Sequence, residues 1–390
     1  MIKAILLDLD SLTRWEANDD FAAAYVRLLA DYLNQQWRRN DLLKVLPMAV
    51  QALAGFRDGQ QTNADLIAEV ICRETGSPIA QIQEGLRRFH QEAYPLLHEP
   101  PLSIPAARRL LDHLRQQNYA IAIITQPIYP TNAIQERLAG AGLPDDLDNY
   151  GLVTTNEMHF AQTDTAFYAE VIARMGIEPD EAVIVSSNLE NVIVWARRLG
   201  LHTYQLNAPQ TATSGTLNDF FSAVTTTNWL ETLAPSPLTP EMIEPEMRGN
   251  LGALFGILAS ARPYCWRQHP EPDEWSPMQI LCHLVASESS THRARLERIL
   301  AADNPFIVAP PPGPHDVADC GSDGLTIARE FAQERQETLD WLRQLQPADW
   351  LRPARHSIFG LTTLLEMAHF TAQHDRLHLN QLCQTIGRCT

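Results

Sequence analysis

The chain has 390 residues, which is enough for two or three domains that each bury a core of their own. Its formal net charge of -17 argues against nucleic acid and anionic membranes as partners, because phosphate-rich surfaces attract clustered cations. No apolar run reaches membrane-spanning length, and no basic leader precedes the first apolar segment. We therefore expect a soluble, cytoplasmic protein whose partner is a small-molecule substrate or ligand.

The cysteines show neither a CxxC pair nor the dense spacing of a disulfide scaffold. They are Cys72, Cys265, Cys282, Cys320, Cys383 and Cys389. The sequence therefore predicts free thiols, and it favours a packed thiol at Cys282.

The N-terminal half alternates apolar strands with amphipathic helices. "KAILLDLD" is a short apolar run that ends in acids, as a buried parallel strand does when its carboxyl end opens on a site. Further strands are predicted at "YAIAIITQ" and "EAVIVSS", and a long stretch with helical spacing, about residues 14–98, separates the first two. This order indicates an α/β domain over residues 1–233 that contains a helical insert.

A proline-rich stretch marks a change in the sequence pattern. "LAPSPLTPEMIEPEM" contains four prolines and separates the last α/β element from a region without strand alternation. We place a linker at residues 234–241. Beyond it, four segments carry apolar residues at helical spacing, which predicts an all-α four-helix bundle over residues 242–390.

Two carboxylates close the first strand. Asp8 and Asp10 stand at i and i+2, so both point to one side of the strand and can divide the roles of nucleophile and general acid/base. Together with the later elements, "DLDSL" resembles the first motif, DxDGT, of the haloacid dehalogenase-like (HAD) superfamily. The resemblance implies a Rossmann-like domain with a helical cap, and it gives Thr125, at the end of "AIITQ", a hydrogen bond to the phosphoryl group.

Other catalytic parts of that superfamily are missing from the sequence. Its motif lysine is replaced by Gln162, and the acids that hold magnesium are replaced by Ser186, Ser187 and Asn191. A carboxylate that attacks a phosphate dianion needs compensating cations, and losing such a partner typically costs about 100-fold or more in rate. We therefore expect an inactive domain without magnesium. The alternative is an active phosphatase or hydrolase with Asp8 as the nucleophile.

Three histidines carry the functional signal of the C-terminal half. His374 and His378 stand at i and i+4, which places two imidazoles on one helical face about 6 Å apart at Cβ. His283 lies among apolar residues of an earlier helix, so its ring is directed to the bundle interior. With "EWSPMQILCHLVASE" and "HDRLHLNQL", these residues resemble the DinB-like superfamily of four-helix bundles. The resemblance implies that the three histidines bind a divalent metal.

Such a metal site has a defined chemistry. Three neutral imidazoles leave open positions for water or substrate, and nitrogen ligands favour zinc or nickel. In the DinB-like superfamily the implied reaction is S-transfer with a low-molecular-weight thiol, or hydrolysis, and the resemblance permits a homodimer through the bundle. The second alternative is a noncatalytic protein that binds ligands or partners.

Other polar residues of these helices are expected to play lesser roles. Asp375 and Glu288 are candidates to orient a ligand imidazole by hydrogen bonding. His292 and His356 are expected at the surface, and His369, five residues before His374, is expected to point elsewhere on its helix.

Overall fold

The computed structural model describes residues 1–14, 21–97, 102–103, 105–308, 320 and 323–389. It divides into two compact units, of which the first comprises Met1–Arg57, Gln61–Tyr168 and Pro179–Ser236. The second comprises Asp58–Gln60, Ala169–Glu178 and Pro237–Thr390. The ends of the predicted helical insert, at residues 15–20 and 98, lie outside the described residues. No helix within the described ranges is both long enough and apolar enough to cross a bilayer.

A parallel sheet forms the centre of the first unit. The strands in this half of the chain are β1 (Ala4–Asp8), β2 (Thr13–Arg14), β3 (Leu102–Ser103), β4 (Ala120–Ile124), β5 (Leu152–Val153), β6 (Ala182–Ser186), β7 (His202–Leu206) and β8 (Ser214–Gly215). Six of them pair in the order β5-β4-β1-β6-β7-β8, and β2 pairs with β3 separately. The central strands β1, β4 and β6 are apolar and buried, because a parallel sheet is covered on both faces.

Helices follow the strands in the order that the sequence predicts. They are α1 (Leu9–Leu12), α2 (Phe21–Trp37), α3 (Leu42–Ala52), α4 (Asn63–Thr75), α5 (Ile79–Glu92), α6 (Pro105–Gln116), α7 (Thr131–Gly140), α8 (Thr165–Met175), α9 (Val194–Arg198) and α10 (Leu217–Thr225). The four helices α2 to α5 lie between β2 and β3, where we predicted the insert. The α/β prediction with a helical insert is therefore confirmed.

Long helices make up most of the second unit. They are α11 (Pro240–Ala259), α12 (Pro277–Ser287), α13 (Ala294–Ala301), α14 (Gly324–Leu342) and α15 (Leu364–Gly387). A π-helical turn, Glu288–Arg293, follows α12 directly and leads into α13, so these elements make one of the four predicted helical segments. The prediction of four helical segments is confirmed.

A small sheet in the second unit was not predicted. It consists of β9 (Phe306–Ile307), β10 (Pro353–His356) and β11 (Gly360–Thr363), in the order β11-β10-β9. Strands of two to four residues are too short to show the alternation that identifies a strand in a sequence. The description all-α therefore fits the bundle but not every element of this unit.

Capping boxes begin the two helices that carry the predicted metal ligands. At the start of α12 the Ser276 hydroxyl accepts from the backbone N–H of Gln279, whose side chain accepts from the backbone N–H of Ser276. Thr363 and Glu366 form the same arrangement at the start of α15. Each such cap contributes about 1 kcal/mol by satisfying N–H groups that the first turn leaves unpaired. Both helices therefore begin at defined residues.

One disulfide shows that the prediction of six free thiols was wrong. Cys282 on α12 is bonded to Cys320, and their Cα atoms are 5.7 Å apart. The free cysteines are Cys72, Cys265, Cys383 and Cys389. The two bonded residues are separated by 38 positions, so only the packing of the chain brings them within bonding distance.

Candidate functional site

The three predicted metal ligands come together in the second unit. His283 lies on α12, and His374 and His378 lie one turn apart on α15. One ring nitrogen of each histidine lies within 4.8 Å of the other two. The ring centroids of His283 and His374 are 5.2 Å apart, and those of the other two pairs are 4.5 Å apart. We call this group the histidine cluster; its spacing is small enough for one cation to contact all three rings.

Two imidazoles of the histidine cluster have hydrogen-bonding partners at Nδ1. The Nδ1–H of His378 donates to the side-chain oxygen of Gln381 at 2.9 Å, which leaves Nε2 as the nitrogen with a free lone pair. Nδ1 of His374 lies 3.2 Å from Nε2 of His292. Partners of this kind hold the orientation of a metal-binding imidazole.

The surroundings of His283 are partly apolar. The Trp275 ring lies 4.9 Å from the His283 ring and stacks on His378 at 5.9 Å, with 13° between the ring planes. The Ser287 hydroxyl lies 3.3 Å from Nε2 and 3.5 Å from Nδ1 of His283. The indole removes water from one side of the histidine cluster while the hydroxyl offers a polar contact.

Burial keeps the histidine cluster neutral. Loss of hydration, followed by the charge of His378, lowers the pKa of His283 to about 4. Burial and then the neighbouring imidazoles lower the pKa of His374 even further, and burial also lowers the pKa of His378. A neutral imidazole has a lone pair to offer, so all three rings are in the form that binds a metal at neutral pH.

The expectation that His292 lies at the surface was wrong. Its side chain is buried, with 3% exposure, and its ring centroid is 4.5 Å from that of His374. His292 follows His283 by nine residues, about two and a half turns of a regular α-helix, which would point it to the opposite face. The π-helical turn Glu288–Arg293 has more residues per turn and so changes this direction. Helical spacing in the sequence therefore gave no signal for this contact.

A buried ion cluster lies beside the histidines. Arg335 on α14 donates two hydrogen bonds to the Glu288 carboxylate, at 2.8 and 2.7 Å, and one to Asp375 at 2.7 Å. All three side chains are at most 3% exposed. Asn250 also donates to Asp375, at 3.3 Å. We expected the two carboxylates to orient a ligand imidazole; in the described residues, both bind Arg335 instead.

Two other histidines of the second unit lie outside the histidine cluster. His356 is 4% exposed and stacks on Phe359 at 4.5 Å, so its expected place at the surface was also wrong. Nδ1 of His369 lies 3.0 Å from a carboxylate oxygen of Glu246. Both rings are therefore held by other partners.

The carboxyl ends of three adjacent strands bring together the predicted site of the first unit. Asp8 closes β1, Ser186 closes β6, and Thr125 follows β4. Asp8 is 3% exposed, and one of its oxygens accepts hydrogen bonds from Ser186 at 2.6 Å and Ser11 at 2.9 Å. Burial and then the charge of Asp10 raise the pKa of Asp8 to about 7, although the two hydroxyls favour the charged form.

The Thr125 hydroxyl is engaged within the protein. Its oxygen lies 3.1 Å from the backbone oxygen of Thr154 and 3.2 Å from that of Gln126, and its one proton is available to either acceptor. The backbone N–H of Thr125 in turn donates to the Thr154 hydroxyl at 2.8 Å. A phosphoryl group would have to displace these contacts to receive the hydrogen bond that the HAD resemblance implies.

A buried arginine that the sequence did not reveal pairs with the second carboxylate. Arg137 on α7 is 4% exposed and forms an ion pair with Asp10. Its guanidinium lies 4.6 Å from the ring centroid of Phe21 and 5.6 Å from that of Tyr129. The cation beside Asp10 thus comes from a helix position that no HAD motif includes, so a scan of motif positions could not find it.

Uncharged amides contribute much of the polar lining of a cavity of about 590 Å³ next to this site. They are Gln126, Gln162, Asn188 and Asn191. Asp10 also lines the cavity, whereas Asp8 is not among the described lining residues. Among its described lining residues the cavity therefore offers hydrogen-bonding groups but no lysine or arginine for an anionic substrate.

Comparison with known proteins supports both resemblances. A sequence model of the DinB superfamily matches residues 248–382, a range that includes all three residues of the histidine cluster. Pyrophosphatase PpaX of Bacillus velezensis is 25% identical over 193 residues, which are 49% of this chain and 77% of that protein. The family-model match confirms the resemblance predicted for the C-terminal half, and the match to PpaX agrees with the resemblance predicted for the N-terminal half.

Two solved structures are each similar to part of the chain. A 2-haloacid dehalogenase from Pseudomonas syringae pv. Tomato DC3000 is 17% identical, with a TM-score of 0.42 over 59% of this chain and 100% of that one. YfiT from Bacillus subtilis, described as a probable metal-dependent hydrolase with an unusual four-helix bundle topology, is 14% identical. Its TM-score is 0.34 over 39% of this chain and 90% of that one.

Removing the buried arginine should destabilise the second unit. Arg335→Met leaves Glu288 and Asp375 buried without a cation, so we expect a loss of about 3–5 kcal/mol in the free energy of unfolding. Urea unfolding measures this loss. Arg343→Met is the matched control, because its ion pairs are partly exposed and should contribute less than about 1 kcal/mol. Equal losses in the two variants would contradict the buried ion cluster.

Replacing Asp8 should change how stability depends on pH. The pKa of Asp8 is higher in the folded protein than its ordinary 3.8. The ionised carboxylate therefore destabilises the folded state, by an amount that grows as pH rises from about 4 to about 7. Asp8→Asn removes that charge. Relative to wild type, the free energy of unfolding of the variant should rise by roughly 2–4 kcal/mol from pH 4 to pH 8, as measured by urea unfolding. A difference that does not vary with pH would show that the Asp8 carboxyl is not disfavoured by burial.

Proposed function

We propose that the second unit holds a divalent metal ion on His283, His374 and His378 and catalyses hydrolysis or thiol S-transfer, while the HAD-like first unit is not catalytic. The observation that carries this proposal is the approach of one ring nitrogen from each histidine to within 4.8 Å of the others. The match of residues 248–382 to the DinB superfamily supports it independently of the geometry.

The residues present fit a metal in three respects. The imidazoles are neutral, and the contacts of His374 and His378 at Nδ1 leave Nε2 to face the cluster. Three nitrogen ligands leave coordination positions open and suit zinc or nickel. The buried ion cluster holds two carboxylates and one guanidinium, and its excess of negative groups favours a cation nearby. A bound ion would lower the pKa of a coordinated water or small thiol.

Three features of the first unit support an inactive HAD-like domain. Asp8 is buried and has a pKa of about 7, so a large share of it is uncharged and a poor nucleophile at neutral pH. The Asp10 carboxylate forms an ion pair with Arg137, so the second acid is engaged by a cation from α7. Gln162 occupies the position of the motif lysine. The amide-lined cavity suits a ligand-binding or docking role.

Metal analysis tests the main proposal. Untagged wild-type protein should contain roughly one zinc or nickel ion per chain, and His374→Ala should contain none, because removing one of three ligands greatly weakens such a site. Inductively coupled plasma mass spectrometry gives the ratio. His269→Ala, which changes an exposed histidine outside the cluster, is the control and should keep its metal. Metal-free wild-type protein that takes up neither ion on dialysis would favour the noncatalytic alternative.

A phosphatase assay tests the first unit. Aryl phosphate hydrolysis with magnesium should not differ between wild type and Asp8→Asn, since Gln162 replaces the motif lysine and Ser186, Ser187 and Asn191 replace the acids that hold magnesium. Rates are compared with those of buffer alone. Turnover by the wild type that needs magnesium and disappears in Asp8→Asn would establish the HAD phosphatase alternative.

A further inference from the structure

A fourth histidine borders the histidine cluster without belonging to it. Nε2 of His292 lies 3.2 Å from Nδ1 of His374, while Nε2 of His374 lies 3.2 Å from Nε2 of His283. The two nitrogens of His374 thus face different neighbours: Nε2 faces the cluster, and Nδ1 faces His292.

A neutral imidazole has one N–H and one lone pair, so its two nitrogens cannot both bind a metal and donate. For Nε2 of His374 to offer its lone pair to the cluster, the proton must reside on Nδ1. The nitrogen within hydrogen-bonding distance of that proton is Nε2 of His292. In this arrangement His292 carries its own proton on Nδ1, which is buried and has no hydrogen-bond partner among the described residues. We propose that His292 is a positioning residue that accepts this proton's hydrogen bond and so selects the tautomer of His374 that can bind a metal. This inference rests on the proposed function of the cluster.

The Nδ1 partner of His374 is distant in sequence, whereas that of His378, the other cluster histidine on α15, is local. His378 donates from Nδ1 to Gln381, three residues along its own helix. Within the described residues, the partner of Nδ1 of His374 comes instead from another helical segment, 82 positions away in sequence. The orientation of His374 therefore depends on where the π-helical turn places His292.

The buried ion cluster holds that π-helical turn in place. Glu288 is the first residue of the turn Glu288–Arg293, and both of its carboxylate oxygens accept hydrogen bonds from Arg335. Arg335 also binds Asp375, the residue that follows His374 on α15. One guanidinium thus connects the segment that carries His292 to the segment that carries His374. Glu288 and Asp375 influence the cluster through this connection rather than by direct hydrogen bonds to its rings.

Nuclear magnetic resonance tests the tautomer directly and needs no metal. In protein with ¹⁵N-labelled histidine, long-range ¹H–¹⁵N spectra distinguish a proton on Nδ1 from one on Nε2. We expect His374 of the metal-free wild type to carry its proton on Nδ1. In His292→Phe, which keeps a ring but has no acceptor, His374 should shift to a mixture of both tautomers. His292→Gln, whose amide oxygen can accept, should restore part of the Nδ1–H form.

Zinc affinity gives the second measurement, by competition with a chelating dye. His292→Phe should bind zinc about 10–100-fold more weakly than wild type, and His292→Gln should lie between them. His356→Phe is the matched control, because it changes a buried histidine of the same unit that does not contact the cluster, and its affinity should equal that of wild type. Circular dichroism checks the fold of each variant. His292→Leu, which also lacks an acceptor, replaces His292→Phe if that variant does not fold.

The outcomes separate this inference from the function on which it rests. Wild-type protein without affinity for zinc or nickel would overturn the metal centre and, with it, the metal role of His292. Wild-type affinity in a folded His292→Phe or His292→Leu variant, with His374 still protonated on Nδ1, would overturn the positioning role alone. Weaker zinc binding together with the tautomer shift, and partial rescue by His292→Gln, supports it.

Discussion

The buried contact of Arg335 with Glu288 and Asp375 is the constraint on which the candidate metal centre depends. Its three residues come from the π-helical turn, α14 and α15, and each side chain is at most 3% exposed. Removing charges from water is costly, so the contact persists only where hydrogen-bond geometry compensates for the lost hydration. Any shift between these segments would break bonds that water cannot replace. The ion cluster therefore sets the alignment at which His292 and His374 meet.

The candidate sites of the two units differ in how their charged groups are arranged. In the first, the buried Asp8 carboxyl accepts hydrogen bonds from two hydroxyls, and the Asp10 carboxylate is paired with Arg137, so both acids are already engaged within the protein. In the second, uncharged imidazoles lie beside an excess of carboxylate, an arrangement that favours an added cation. This electrostatic contrast is why we assign the chemistry to the second unit.

Several features of the site could not be predicted because they depend on irregular backbone or on distant contacts. His292 reaches His374 only because a π-helical turn interrupts the regular helical angle between it and His283. Arg137 approaches Asp10 although they are 127 positions apart, and Cys320 approaches Cys282 across 38. The strands β9 to β11 are too short to have a pattern of their own. No local periodicity encodes such encounters.

Four properties followed from the sequence alone. They are the α/β order of the N-terminal half, the helical segments of the C-terminal half, the pairing of His374 with His378 on one helical face, and the replacement of the motif lysine by Gln162. These properties depend on residue type and on spacing within one element, where helical and strand periodicity is fixed by backbone geometry. The resemblance to the DinB-like superfamily also predicted that His283 joins that pair, and the structure brings the three rings together. Only the tertiary structure decided that His292 contacts His374 and that Arg137 pairs with Asp10. Those contacts join separate elements, and packing determines which side chains meet.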